Sequence, residues 1–167
     1  SVLVATLPLL FAACGDADTG AGPAPSLPPE CTAIESPSLL GGSHIPVGSK
    51  GTYNTTPPTS GQHYPTPVQV GGYVEPIPNE TQVHNLEHGH VMVQHKGLTS
   101  EQIDALEDLI KKDGRKVVMA PYPDMDAAVA LTSWGKIQTC SAWSDAIPAL
   151  VRYFIRANRD HAPESID

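Results

Sequence analysis

The sequence predicts an α+β domain with a small mixed or antiparallel sheet and two helices on one face. Its N-terminal half is predicted to be irregular and rich in proline and glycine. Three observations support this class. Thirteen of the 17 prolines lie before residue 81, and proline both fixes φ and removes a backbone donor. Beyond that point, apolar residues recur with the periods of strands and helices. The elements there follow the order β-α-β-β-α, which suits a sheet covered by helices.

The irregular half spans residues 31–80. Proline residues throughout it argue against a regular helix. Short extended pieces are predicted over residues 51–54 and 68–74. Because this half has little apolar periodicity, we expect it to wrap over a core that the second half builds.

The first strand and helix of the second half have clear local signals. Residues 91–94 read Val-Met-Val-Gln, which has the composition of a strand. Thr99 and Gln102 match the capping-box pattern, so a helix is predicted to begin there. Gly114 is predicted to end it. The apolar face of this helix consists of Ile103, Leu106, Leu109 and Ile110.

Two further strands and a second helix complete the predicted order. The strands are predicted over residues 116–120 and 127–134. Ser144 or Asp145 is predicted to cap the second helix. Its apolar positions recur at spacings of three and four, and they are Ile147, Leu150, Val151, Phe154 and Ile155.

The charge balance excludes two classes of partner. The chain has 10 Lys and Arg against 18 Asp and Glu, which gives a net charge of −8. Nucleic-acid binding requires basic patches that neutralise phosphates, so no nucleic-acid partner is expected. Electrostatic attachment to an anionic membrane surface is disfavoured for the same reason.

The first residues are typical of an export signal. Residues 1–14 are uncharged and mostly apolar, but they are too short to span a bilayer. They are interpreted as a signal-peptide remnant that ends in a lipobox, with Cys14 as the lipidated residue. An ordinary cleaved signal is the alternative. We therefore expect an extracytoplasmic protein that is lipid-anchored to a bacterial membrane, in the periplasm or at the cell surface. The lipid would be its only membrane contact.

Residues 15–30 lack aromatic side chains and are predicted to form a flexible tether. Residues 31–164 then form a single globular domain. Once Cys14 is lipidated or removed, Cys31 and Cys140 remain. An even pair in an exported chain favours a disulfide. Two metal-binding thiols are the alternative.

Histidines are the principal candidates for chemistry. Four of the seven lie within twelve residues: His84, His88, His90 and His95. On a helical turn, His84 and His88 would share a face. In an extended segment, His88, His90 and Met92 would share a face instead, and the thioether would suit copper. The sequence leaves both geometries open.

Three further interpretations concern His63, His95 and His161. Residues 53–65 form a stiff loop rich in Pro and Gly, which is suited to delivering His63 into a site from a distance. His95 and His161 are predicted to be surface residues. Each histidine can also be read as a buried hydrogen-bonding residue without a ligand.

Four motifs together resemble a known bacterial family. They are Pro57-Pro-Thr-Ser-Gly-Gln-His-Tyr64, His84-Asn-Leu-Glu-His-Gly89, Leu131-Thr-Ser-Trp-Gly135 and Ala162-Pro-Glu164. The chain is identified as a member of domain-of-unknown-function family 3105 over about residues 31–164. Members are typically exported or membrane-anchored. The resemblance implies a shared role for His63, His84, Glu87 and His88, and less directly for His44.

These observations lead to a metal-binding hypothesis. The favoured function is an extracytoplasmic metal-binding lipoprotein, with a copper ion preferred to a zinc ion. His63, His84 and His88 would bind the ion, together with His44. Glu87 would accept a hydrogen bond from the second ring nitrogen of a ligand histidine. Met92 is a possible soft ligand.

Two alternatives stay open. One is an envelope-associated scaffold that binds another envelope protein and uses its histidines structurally. The other is a zinc-dependent hydrolase with Glu87 as general base. No substrate signature or activated nucleophile is visible, so enzymatic activity is the less favoured interpretation.

Overall fold

The computed structural model of the protein describes residues 21–164. The predicted signal remnant over residues 1–14, its lipidation site Cys14, and the first part of the predicted tether lie outside the described residues. Among residues 21–164, no helix is both long and apolar enough to cross a membrane.

Residues 21–164 contain three helices and one five-stranded sheet. The helices are α1 (Asn79–Glu87), α2 (Ser100–Asp113) and α3 (Ile147–Asn158). The strands are β1 (Gly71–Gly72), β2 (Val91–His95), β3 (Val117–Pro121), β4 (Val129–Ser133) and β5 (Lys136–Cys140). The predicted α+β class is therefore confirmed, whereas the predicted smaller sheet with only two helices is wrong.

The sheet is mixed and has the strand order β1-β3-β2-β4-β5. Strand β3 runs parallel to both β1 and β2, whereas β4 runs antiparallel to β2 and β5. Val93 in the central strand β2 pairs with Met119 on one side and Leu131 on the other. Helix α2 provides the crossover that parallel neighbours require.

Helices cover both faces of the sheet. Val91 and Val93 point to the face where α2 and α3 pack, and the fully buried Phe154 lies in that cluster. Met92 points to the opposite face, as alternation along a strand requires, and packs with Leu86 of α1. Two helices do share a face as predicted, and α1 is the additional helix on the other.

Polar contacts hold α1 against the sheet. The Gln94 Nε2 in β2 donates to Gln82 Oε1 over 3.1 Å and to Thr132 Oγ1 over 2.8 Å. The Val68 N–H donates to Asn85 Oδ1 over 3.0 Å, and Asn85 Nδ2 donates to Val68 O over 2.8 Å. Because these buried side chains are polar, α1 lacks the apolar periodicity that would have predicted it.

The two predicted helices form with different caps. Thr99 caps α2, and the complete capping box with Gln102 confirms that prediction. The predicted cap of α3 by Ser144 or Asp145 is wrong, because the N-cap is Ala146 without a side-chain bond. Pro148 at the second helical position has no N–H for a capping side chain to bind.

The N-terminal half adds to the edge of β5. Cys31 and Cys140 form the predicted disulfide, with an S–S distance of 2.04 Å. The Thr32 N–H donates to Thr139 O and the Glu35 N–H donates to Ile137 O, each over 2.8 Å. These contacts protect the edge strand from pairing with another chain.

Candidate metal centre

Two loop histidines are brought together by a backbone bridge. His44 and His63 pair in parallel: the Ile45 N–H donates to His63 O over 2.8 Å, and the His63 N–H donates to Ser43 O over 3.1 Å. His44 is exposed, whereas His63 is fully buried. The Pro-rich loop thus delivers His63 into the interior.

Helix α1 contributes the other two histidines. His84 lies in its last turn, and His88 is its C-cap. Residues four apart on a helix share a face, and their Nε2 atoms lie 3.1 Å from each other. The helical arrangement of this segment is therefore the one observed, and β2 begins only at Val91.

A hydrogen bond shows which ring nitrogen of His63 carries a proton. Its Nδ1 lies 2.9 Å from Gly61 O, and because a carbonyl only accepts, Nδ1 must donate. Its Nε2 is buried without a hydrogen-bond partner among residues 21–164. Glu87 Oε2 lies 2.8 Å from this Nε2, within ion-pair distance. The nitrogen therefore faces a buried carboxylate.

His84 is oriented in the same way. Its Nδ1 donates to Tyr64 O, which leaves Nε2 as an acceptor 3.1 Å from His88 Nε2. Burial lowers the pKa of His84 below its ordinary value of 6.5, and the neighbouring histidines lower this pKa further against the opposing effect of the Tyr64 bond. The neutral imidazole is the form that binds metals.

The rings of three histidines lie close together. The ring centroids of His44, His63 and His84 lie 4.8 to 5.2 Å apart. One nitrogen from each ring lies within 4.8 Å of the other two. Nitrogens that bind one ion tetrahedrally at 2.0–2.1 Å are about 3.4 Å apart, so small side-chain movements would close this set around an ion.

Glu87 lies on the Nε2 side of the His63 ring. The prediction gave it the role of orienting a ligand ring through that ring's other nitrogen. At His63 and His84 that role belongs to the carbonyls of Gly61 and Tyr64. Glu87 is 5% exposed, and its Oε1 lies against Gly42, where a Cβ would approach within 2.2 Å.

A second group of possible ligands adjoins the first. One ligand atom from each of Glu87, His88 and Glu164 lies within 4.8 Å of the other two. The Glu164 N–H donates to Glu87 O over 3.1 Å, and its Oε2 lies 3.7 Å from His88 Nε2. Sequence reasoning assigned no role to Glu164, although it ends one of the four motifs.

The remaining candidates lie apart from this convergence or have other contacts. Met92, the proposed soft ligand, is fully buried in an apolar cluster with Leu86 and Val118. His90 Nδ1 donates to Asn85 O over 3.0 Å. His161 is exposed as predicted.

The surface prediction for His95 is wrong, since this residue is 7% exposed. It ends the central strand β2, where it pairs with Pro121 on one side and Val129 on the other. Position in a central strand, which local sequence did not reveal, explains its burial.

The comparisons with known proteins identify a family. The search of curated proteins and the search of solved structures each found no match. A family model described as "Protein of unknown function (DUF3105)" matches residues 44–166, well over half of the chain. The matched range begins at His44 and includes Glu164, so it contains both groups of possible ligands. The chain therefore belongs to the DUF3105 family.

Proposed function

We propose that the protein is an extracytoplasmic, lipid-anchored metal-binding protein in which His44, His63 and His84 hold a transition-metal ion. The single observation that supports this most strongly is the closeness of the three rings, since one nitrogen from each lies within 4.8 Å of the other two. An ion bound there would draw its ligands from three separate segments of the chain.

The protonation of the rings supports metal binding. Because Nδ1 of His63 and Nδ1 of His84 donate to backbone carbonyls, the neutral rings keep their lone pairs on Nε2. Metal-binding histidines commonly donate their other ring N–H to a carbonyl in this way. The exposed His44 gives the ion a route from solvent.

Copper is proposed ahead of zinc because of the nitrogen ligands. Affinities of a given N, O or S site rise toward Cu²⁺ and fall again at Zn²⁺. The packing of Met92 among apolar side chains removes the thioether argument for Cu(I). The preference therefore rests on imidazole alone, and zinc is the alternative.

A zinc-dependent hydrolase is a second candidate function. Catalytic zinc sites use three protein ligands and keep one position open. The Glu87 carboxylate, 2.8 Å from His63 Nε2, is the group that would act as general base for a zinc-bound water. Turnover of ester or phosphoester probes that Glu87→Gln abolishes, with the ion still bound, would favour this function.

The test is metal analysis of the chain purified from the periplasm without chelator or His-tag. We expect near-stoichiometric copper or zinc by elemental analysis, and tight binding on titration. His63→Ala should lower affinity by at least about 100-fold, because it removes a ligand. The matched control is His161→Ala, which removes an exposed histidine and should leave affinity unchanged.

Stability measurements separate this proposal from the scaffold alternative. If the histidines are only structural, His63→Ala should lower the melting temperature equally with and without added metal. If they bind an ion, added metal should stabilise the wild type and not the variant. Absence of bound metal together with no tight binding on titration would overturn the proposal.

A further inference from the structure

We propose that the centre holds two ions, with the second bound by Glu87, His88 and Glu164 and with Glu87 bridging the pair. This inference rests on the proposed function, because it places the second ion beside the one held by the three histidines. It goes beyond that function by assigning ligand roles to two carboxylates.

The second group has a ligand set suited to a divalent cation. One imidazole and two carboxylates offer atoms that lie within 4.8 Å of one another. Glu164 is far from Glu87 in sequence, yet its N–H donates to Glu87 O over 3.1 Å. That hydrogen bond holds the backbone of Glu164 beside Glu87, and the Glu164 carboxylate extends from there toward His88.

Two close contacts join the groups. Glu87 Oε2 lies 2.8 Å from His63 Nε2, and His84 Nε2 lies 3.1 Å from His88 Nε2. Each contact pairs an atom of the first group with an atom of the second. Two-metal centres hold their ions about 3.5–4 Å apart. Glu87 is the carboxylate that belongs to one group and contacts the other, so it is the residue that would bridge such a pair.

The two groups are also joined by a hydrogen bond between histidines. Because His84 Nδ1 donates to Tyr64 O, His84 Nε2 accepts and His88 Nε2 donates across the 3.1 Å between them. An ion on His88 Nε2 would replace this hydrogen bond.

Charge supports the assignment as well. Three neutral imidazoles provide no negative charge for the first ion, and Glu87 is a buried carboxylate beside them. Glu164 adds a second carboxylate at the rim. Lys116 lies close to this group, and its Nζ contacts His88 O at 3.3 Å and Asp160 Oδ1 at 3.0 Å, so an acidic partner balances it.

The two ions would differ in accessibility. The His63 and Glu87 side chains are 0% and 6% exposed, whereas those of His88 and Glu164 are 16% and 59% exposed. The inner ion, held by the three histidines, would have two buried ligands and reach solvent only past His44, whereas the outer ion, held by Glu87, His88 and Glu164, would lie at the exposed rim. A protein that keeps one ion and passes on another would have this arrangement.

The experiment is a titration of the full chain with Zn²⁺ and, separately, with Cu²⁺. We expect two ions per chain for the wild type and one for Glu164→Gln, which keeps the side-chain shape but removes the charge. Glu101→Gln, an exposed substitution on α2, is the matched control and should still bind two. With two Cu²⁺ bound, magnetic coupling should make the EPR intensity smaller than the copper content, and Glu164→Gln should restore an uncoupled signal.

The outcomes distinguish the two proposals. One ion in the wild type, with Glu164→Gln unchanged, overturns the second site and leaves the three-histidine site standing. No ion in any variant overturns both. Two ions that persist in Glu164→Gln with unchanged affinity also overturn the assignment of Glu164.

Discussion

The α-carbon of Gly42 lies directly against the carboxylate of Glu87. A Cβ at position 42 would come within 2.2 Å of Glu87 Oε1 and 3.1 Å of the Trp134 ring. Only glycine leaves room for a carboxylate at this distance, so residue 42 controls the position of Glu87 without being a ligand itself.

Gly42→Ala should therefore move Glu87 and weaken metal binding. We expect metal affinity to fall about 10- to 100-fold, as when a residue that supports a ligand is changed. Titration with Zn²⁺ or Cu²⁺ measures this. The control is Gly72→Ala, where the nearest atom to the new Cβ, Glu107 Oε1, is 3.4 Å away. Equal affinities in the two variants would contradict the prediction.

Gln94→Met should loosen the attachment of α1 to the sheet. The substitution leaves the buried Gln82 Oε1 without the donor that Gln94 provides. We expect the free energy of unfolding to fall by about 1–3 kcal/mol, measured by chemical denaturation. Gln69→Met, at an exposed position, should change it by less than about 0.5 kcal/mol. A neutral effect at Gln94 would show that this hydrogen bond contributes little.

Stability should fall in acid because of His95. Burial lowers its pKa below the ordinary value of 6.5, and Glu107 opposes this shift. The unfolded chain therefore takes up a proton near pH 6.5 while the folded chain resists it, so stability is lost as the pH falls below that value. His84 and His90, whose pKa values burial also lowers, contribute in the same direction.

The measurement compares the metal-free wild type with His95→Gln by denaturation at several pH values between about 8 and 5. We expect a shallower loss of stability in the variant. His161→Gln is the control, because His161 is exposed and should keep the wild-type slope. A variant slope as steep as that of the wild type would exclude His95 as a source of the acid sensitivity.

Removal of the disulfide should destabilise the domain strongly. Cys31 and Cys140 are separated by 109 residues, and closing a loop of this length restricts the unfolded chain. The double variant Cys31→Ala, Cys140→Ala should lose about 2–5 kcal/mol of unfolding free energy. Dithiothreitol should destabilise the wild type by a similar amount and leave the variant unaffected. A reductant effect that persists in the variant would point to a different cause.

Local sequence signals predicted the parts of the fold that local interactions form. Helix α2 has its capping box at Thr99, and α3 has an apolar face that includes Phe154. Helix α1 escaped prediction because its buried polar residues depend on distant partners. Strand β5 was missed although Gly135, with φ of +67°, marks a two-residue hairpin from β4. That glycine was read only as the end of a strand.

The candidate site likewise has a part that local sequence indicates and a part that depends on long-range contacts. A shared helical face for His84 and His88 was one of the two geometries that the sequence left open, and it is the one that the structure has. The approach of His44 to His63 depends on a backbone bridge between loops, which no local pattern reveals. The approach of Glu164 to His88 depends on the chain returning after α3. Long-range contacts therefore define the half of the site that sequence reasoning left undetermined.

The Cys31–Cys140 disulfide has a topological consequence for the site. Five candidate ligands lie within the covalent ring that it closes: His44, His63, His84, Glu87 and His88. In an unfolded oxidised chain, the ring limits how far these side chains can separate. Glu164 lies outside the ring and has no such restriction. In the proposed two-ion centre, the inner ion would thus have all its ligands within one covalent ring, whereas the outer ion would acquire its last ligand only when the tail folds back.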